Sequence, residues 1–410
     1  MPIDQERQIR IGILSHEFLI NIGANDFLKL IISGLALRER TDIVFLHPRL
    51  PAAAEGAAEG AESAEGTALR LPFDFYAEAC PRMSFVACDI DPDSLETLRS
   101  ELGIDVVLPS IHVLPKSLPY VTYWPDCQPK YYPEFFDEQS QRVRDERILG
   151  LLASGKPMIN NSRNARDDMV RFYGADPGQI FNFPVAPNLP FEKLVPRPEL
   201  CTPYGLHRRY FIMCNQFWVH KSIETVIEAA AIAKERGYDV DVVLTGKMEE
   251  PRIPGYIDSL RQRAADLDVD DTVNFLGYIP KDDQLELMKN AVAVIQPTLF
   301  EGGPGGGSIY DAMSLGVRAI VSDIAVNREL PISAGRLALF EKRNATDLAD
   351  RMGEFLKTPY KRPSSEDLYQ LSKRSVQALS GRLYEAIDYC LSLPVDAAPV
   401  RTAESTDAPN

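Results

Sequence analysis

Short apolar runs and longer amphipathic stretches alternate along the chain from residue 8 onward. The runs at 8–15, 41–48, 83–90, 104–110, 120–124, 157–160 and 179–185 read as strands. Between them lie helical stretches. In the first, Phe27, Leu30, Ile31, Gly34 and Leu35 fall on one face, the rhythm of a packed helix. Another starts after the capping Ser162 and ends at Gly174. The alternation stops at 185–206, which carries five prolines, and then restarts. Strands are expected at 209–215, 240–246, 272–279, 291–295, 319–321 and 337–340, interleaved with helices. A final helical stretch, 365–391, is long enough to cross between domains.

Strand-helix alternation of this kind predicts parallel sheets covered on both faces. The expected fold is α/β, with two Rossmann-like doubly wound domains facing a central cleft. The expected boundaries are a first Rossmann-like domain at 1–190, a linker at 191–207, a second at 208–360, a crossing helix at 361–392 and a disordered tail at 393–410. Residues 51–70, rich in Ala, Glu and Gly, read as a solvated low-complexity insertion.

Doubly wound domains bind ligands beyond the carboxyl ends of their strands. That rule selects His16, Gly23, Pro125, Asp126, the 215–221 segment, Gly246, Lys247, the 277–280 turn and the 301–311 segment. The last is the most distinctive. Glu301 precedes five glycines within residues 302–307, and a helix-like segment runs from Ser308 to Leu315. Glycines free the backbone to present successive N–H groups, and a helix start adds its positive dipole end, so the stretch suits a diphosphate. Glu301 and Asp311 can accept hydrogen bonds from sugar hydroxyls. Lys221, read as opening a helix after the strand at 210–214, can neutralise a phosphate there. Each feature has a plainer counterpart: a flexible loop, a solvated lysine, a turn aspartate at Asp126, a core histidine at His16.

Charge narrows the classes. A net charge of −15 argues against a nucleic-acid partner. No apolar run reaches 18 residues, and the first ten residues mix in charges, so the expectation is a cytoplasmic protein. Six scattered cysteines without a CxxC suit reduced thiols, and five dispersed histidines give no metal-ligand pattern. Asp89-Ile90-Asp91 is a DxD, yet its place before a helical stretch is explained by capping.

With these residues placed, the second half resembles the retaining GT-B-fold glycosyltransferases of family 4 (glycosyl transferases group 1). The segments CNQFWVHKSIETVIEAAAIA, VVLTG, VNFLGYIP, QPTLFEG and DAMSLGVRAIVSDI occur in that family's order. The resemblance is strong over about 208–330 and weaker from 8 to 190. It implies that Lys221 holds the donor diphosphate, Glu301 touches the transferred sugar and Asp311 binds the ribose. Gly306, Gly307 and Ser308 would lie against sugar and phosphates, and Tyr278 and Ile279 against the nucleobase. Gly23 would sit in the first domain's glycine loop, and Gly246 among the donor-binding strand ends.

Three departures stand out. Nine residues separate Glu301 from Asp311 where the family has seven, and the second acid is aspartate. Asn215 or Gln216 replaces the arginine that accompanies the lysine, and Pro125 replaces a first-domain histidine, leaving Asp126 as a substitute. The resemblance implies metal-independent transfer, with retention, from a nucleotide diphosphate sugar to a glycan or lipid-linked acceptor. The implied setting is polysaccharide assembly with GDP-mannose as one donor, no cofactor beyond the donor, and peripheral contact with the membrane's inner face. A nucleotide-sugar epimerase and a degenerate nucleotide-binding protein are the alternatives.

Overall fold

The computed structural model describes residues 8–19, 22–49, 73–331 and 335–394. The 51–70 insertion and most of the 393–410 tail lie outside them. Lobe one holds β1 (Ile9–Leu14), β2 (Thr41–His47), β3 (Ser84–Ala87), β4 (Val106–Ser110), β5 (Tyr120–Tyr123), β6 (Met158–Asn160) and β7 (Ile180–Asn182). They form one sheet in the order β3-β2-β1-β4-β5-β6-β7. Lobe two holds β8 (Tyr210–Cys214), β9 (Asp241–Thr245), β10 (Val273–Gly277), β11 (Val294–Gln296), β12 (Ala319–Ser322) and β13 (Leu337–Phe340). Their order is β10-β9-β8-β11-β12-β13. Every pairing in both sheets is parallel.

The central strands are apolar along their length because helices cover both faces. All residues of β4, β5, β8, β9, β11 and β12 are buried. Helix Ser365–Ser392 ties the lobes together. Its Leu368 packs in a lobe-two core, while Leu379, Leu383, Ala386 and Ile387 pack in the main lobe-one core. A Cβ at Gly34 would lie 2.9 Å from Leu383, so that glycine sets how closely the crossing helix approaches helix Ile22–Ala36.

Local capping explains several helix starts. Ser162 accepts a hydrogen bond from Ala165 N at 2.9 Å, and the helix Arg163–Tyr173 ends at Gly174 with φ +65°. Asp91 caps Ser94 N at 2.9 Å, and Asp89 pairs with Arg49. The DxD is therefore a cap and a surface ion pair. The 191–207 span, expected as a linker, carries helix Phe191–Leu194 and a 3-10 turn at Pro198–Tyr204. Lys193 reaches Asp282 at 2.6 Å, Tyr204 donates to Asp283 at 2.6 Å, and Leu194 is buried. Pro198 takes a first-turn helical position, which proline tolerates, so it starts a turn instead of stiffening a linker.

Candidate active site

The carboxyl ends of both sheets face each other across the cleft, and the glycine turn lies at the junction. Ser162 Oγ of lobe one donates to Gly302 O at 2.8 Å. A Cβ on Gly302 would come within 2.8 Å of Pro125 O and 3.0 Å of Asp126 Cβ, and one on Gly303 within 3.2 Å of Asn161 Cβ. The turn thus faces the interlobe gap, as the sequence led us to expect.

Lobe two fixes the turn through two buried amides. Gln296, at the end of β11, donates from Nε2 to Glu301 Oε1 at 3.0 Å and to Gly305 O at 3.1 Å. Asn327 accepts from Gly305 N at 2.8 Å and donates to Ser322 O at 2.9 Å. Gly305 is the N-cap with φ +73°, and Gly306 follows at +66°, a left-handed pair that only glycine adopts at low cost. The helix runs Gly306–Ser314, two residues earlier than expected. Gly307 and Ser308 therefore lie in its first turn, where N–H groups have no intrahelical acceptor. The Ser308 hydroxyl is buried there with no partner. The N–H groups of Gly307 and Ser308 and the Ser308 hydroxyl thus share one helix start, an arrangement that suits an anion.

Lys221 is buried at the end of a 3-10 turn, Val219–Lys221, and not at the first residue of the helix, which begins at Ile223 after Ser222. Its ammonium is paired with Glu301, which Gln296 holds from the other side. The loop is pinned from behind. Glu250 accepts from Val219 N at 2.7 Å and is itself gripped twice by Arg252. The carbonyl of His220 accepts from Leu299 N at 2.7 Å. Burial, then the Lys221 and Arg252 charges, push the His220 pKa down to about 2, so its ring is neutral and structural.

The remaining residues fall in four positions. Asn215 donates to Gln296 Oε1, and Gln216 follows it beside the same strand end. Gly246 presses on Asn215, since a Cβ there would lie 1.9 Å from Asn215 O. Asp311 is paired with Lys281 at 2.5 Å, a lysine the sequence reading passed over although it directly follows Pro280. Partial desolvation works against the Lys281 charge, but Asp311 and then Asp26 outweigh it and raise its pKa. Asp26 belongs to the first turns of helix Ile22–Ala36, near exposed Gly23. Tyr278 is 68% exposed at the rim, whereas the Ile279 side chain is in the core and leaves only backbone for a ligand.

Asp126 sits against the turn, accepting from Gln128 N at 2.9 Å. Desolvation raises its pKa. The Gln128 N–H and Arg144 work the other way, Glu301 adds to the rise, and Lys221 opposes it. Among the described residues no three His, Cys, Asp or Glu side chains gather as metal ligands. Sequence reasoning missed Lys281, Gln296 and Asn327. The signal for Gln296 was an amide closing the apolar run before Pro297; Asn327 offered none.

Residues 205–374 match the family model described as Glycosyl transferases group 1. The O-antigen chain mannosyltransferase RfbU of Salmonella typhimurium is 25% identical over 206 residues, covering 50% of this chain and 52% of that protein. YqgM of Bacillus subtilis, an uncharacterized glycosyltransferase, is 29% identical over 154 residues, 36% of this chain and 40% of that one. The chain thus spans about half the length of the curated relatives it matches. Among solved structures, sucrose-phosphate synthase from Thermosynechococcus elongatus superposes at TM-score 0.61 with 14% identity, covering 93% of this chain and 96% of that one. Anabaena HepE in complex with UDP gives 0.60 and 14%, covering 92% and 98%. At such identities the likeness establishes the fold, two parallel-sheet lobes of GT-B type.

Proposed function

We propose that the chain transfers a sugar from a nucleotide diphosphate sugar to a hydroxyl of a glycan or lipid-linked acceptor, without a metal and with retention. The observation that carries this reading is Lys221 and Glu301 paired against the glycine turn, beside a helix start where the buried Ser308 hydroxyl has no partner among the described residues. The donor diphosphate takes Glu301's place on Lys221 and lies against the N–H groups of Gly307 and Ser308. Glu301 then turns to the hydroxyls of the sugar. Asp311, held by Lys281, accepts from the ribose.

The acceptor oxygen bonds to the anomeric carbon as the bond from that carbon to the diphosphate oxygen breaks. The acceptor proton passes to an oxygen of the departing diphosphate on the same face, so no strong protein base is needed. Charge growing on the leaving group is met by oriented N–H groups and one ammonium, which cost no reorganisation at that moment. Polysaccharide assembly is the setting supported by the RfbU relative, an O-antigen chain mannosyltransferase, which also makes a mannosyl donor the first to try. The UDP bound to HepE makes uridine donors the second.

The test is a panel of guanosine, uridine and adenosine diphosphate sugars. A stabilising donor is found by thermal shift, then followed for release of nucleoside diphosphate with and without acceptor glycans. Lys221→Ala should lose about 2–4 kcal/mol of transition-state stabilisation while the fold persists. Donor binding without any release would mean a nucleotide-binding protein. An epimerised sugar nucleotide would mean an epimerase.

A further inference from the structure

A second cavity, of about 690 Å³, lies where both lobes meet the crossing helix. Lobe one contributes residues after β7 and the start of helix Arg163–Tyr173, lobe two contributes Pro304 and Met313, and the crossing helix closes the third side. None of Lys221, Glu301, Asp126 or Asp311 lines it. Only Pro304 belongs to the glycine turn.

Charge marks this space. In a chain of net charge −15, Arg163, Arg166, Arg336, Arg374 and Arg382 surround it against one carboxylate, Glu329. Glu329 is already engaged, accepting from Arg163 N at 3.0 Å, Asn164 N at 2.7 Å and Arg163 Nε at 3.3 Å. Arg166 leans on Asp167, and Arg382 on Glu385. Among the described residues Arg336 and Arg374 enter no ion pair, and Arg336 Nε, shut from water, meets no acceptor. An unanswered guanidinium donor is costly, and guanidinium forks match phosphate oxygens. The walls between the arginines are apolar, with Phe183, Val185 and Met313 among them. The volume is that of a small-molecule site.

We propose that this cavity binds a phosphate or diphosphate ester whose organic part is apolar, at a site separate from the donor cleft and spanning both lobes. The guanidinium groups of Arg336 and Arg374 take the phosphate, and the apolar walls take the organic part. Because the walls come from both lobes, an occupant favours the lobe arrangement in which the arginines converge. This goes beyond the transferase reading and does not depend on it.

The experiment is calorimetric titration of the full chain with a short-chain prenyl diphosphate and, separately, with inorganic pyrophosphate. The proteins are wild type, Arg336→Gln/Arg374→Gln and Lys221→Ala. The prenyl ester should bind wild type on the order of tenfold more tightly than pyrophosphate, the arginine variant should lose on the order of tenfold, and Lys221→Ala should stay within about threefold. Should the double variant fold poorly, Arg374→Gln alone, at an exposed helix position, reads the same loss. The proposal is overturned by no binding to wild type, by equal binding of ester and pyrophosphate, or by binding lost in Lys221→Ala and kept in the arginine variants.

Discussion

Asp126 holds its carboxyl where a charge is poorly solvated, and that fixes how it shifts stability with pH. Its folded pKa is raised, chiefly by desolvation, above that of the unfolded chain. At low pH both states are protonated and the residue is silent. As pH climbs past the ordinary carboxylate value the unfolded chain ionises first, and stability falls until the raised folded value is passed. Asp126→Asn keeps the acceptor for Gln128 N and removes the charge. Its melting temperature should exceed that of wild type at pH 7, and the gain should shrink toward zero as pH falls into the carboxylate range. A gain independent of pH would mean the residue is ionised at no cost. Glu301 is paired with Lys221. Glu301→Ala frees that ammonium for the diphosphate, so nucleotide affinity should stay within about threefold while turnover falls on the order of a hundredfold. Equal loss of both would contradict its assignment to the sugar.

At the scale of elements, the glycine turn is held by side chains outside it. Asn327 makes two buried bonds, and Asn327→Ala leaves Gly305 N and Ser322 O without them. That should cost about 2–4 kcal/mol of stability by urea titration, with donor affinity falling in parallel as the helix start loosens. An unchanged midpoint would mean the turn is held elsewhere. This dependence explains what the sequence could disclose. The strands were legible because both faces of each central strand are buried, so β8 reads as an unbroken apolar run and β9 carries one at its centre. Lys221, Glu301 and the glycines were legible because their spacing places all of them just past strand ends. The start of helix Gly306–Ser314 was misjudged because glycine is a poor helix former, and here two of them occupy its first positions. Lys281, Gln296 and Asn327 were not legible as site residues because their roles are set by partners 30, 5 and 22 positions away in the chain. Only the folded chain brings Lys281 and Asn327 to their partners. Gln296 and Glu301, though close in sequence, meet only because the turn doubles back.

At the scale of the molecule, the same turn is where the lobes touch, so the site depends on how they close. Ser162 Oγ reaches Gly302 O, Tyr132 donates to Leu299 O at 3.3 Å, and Lys342 donates to Tyr132 Oη at 3.0 Å. A further tie is Glu329, a lobe-two carboxylate seated on the N–H groups at the start of a lobe-one helix, Arg163–Tyr173. A carboxylate at a helix start gains both from charge-assisted bonds and from the helix dipole. Those bonds form only when the lobes are together, so they favour the closed arrangement, while Ser162 continues to cap the helix alone when the lobes part. Glu329→Ala should therefore leave each lobe folded and enlarge the radius of gyration in solution scattering without donor. Donor affinity should remain within about threefold and turnover should drop on the order of tenfold, because closure and not donor contact has been weakened. Measurements belong in phosphate-free buffer, since the substitution also removes the one carboxylate that lines the arginine-rich cavity among the described residues. An unchanged scattering curve together with unchanged turnover would show that the capping bonds follow closure without contributing to it.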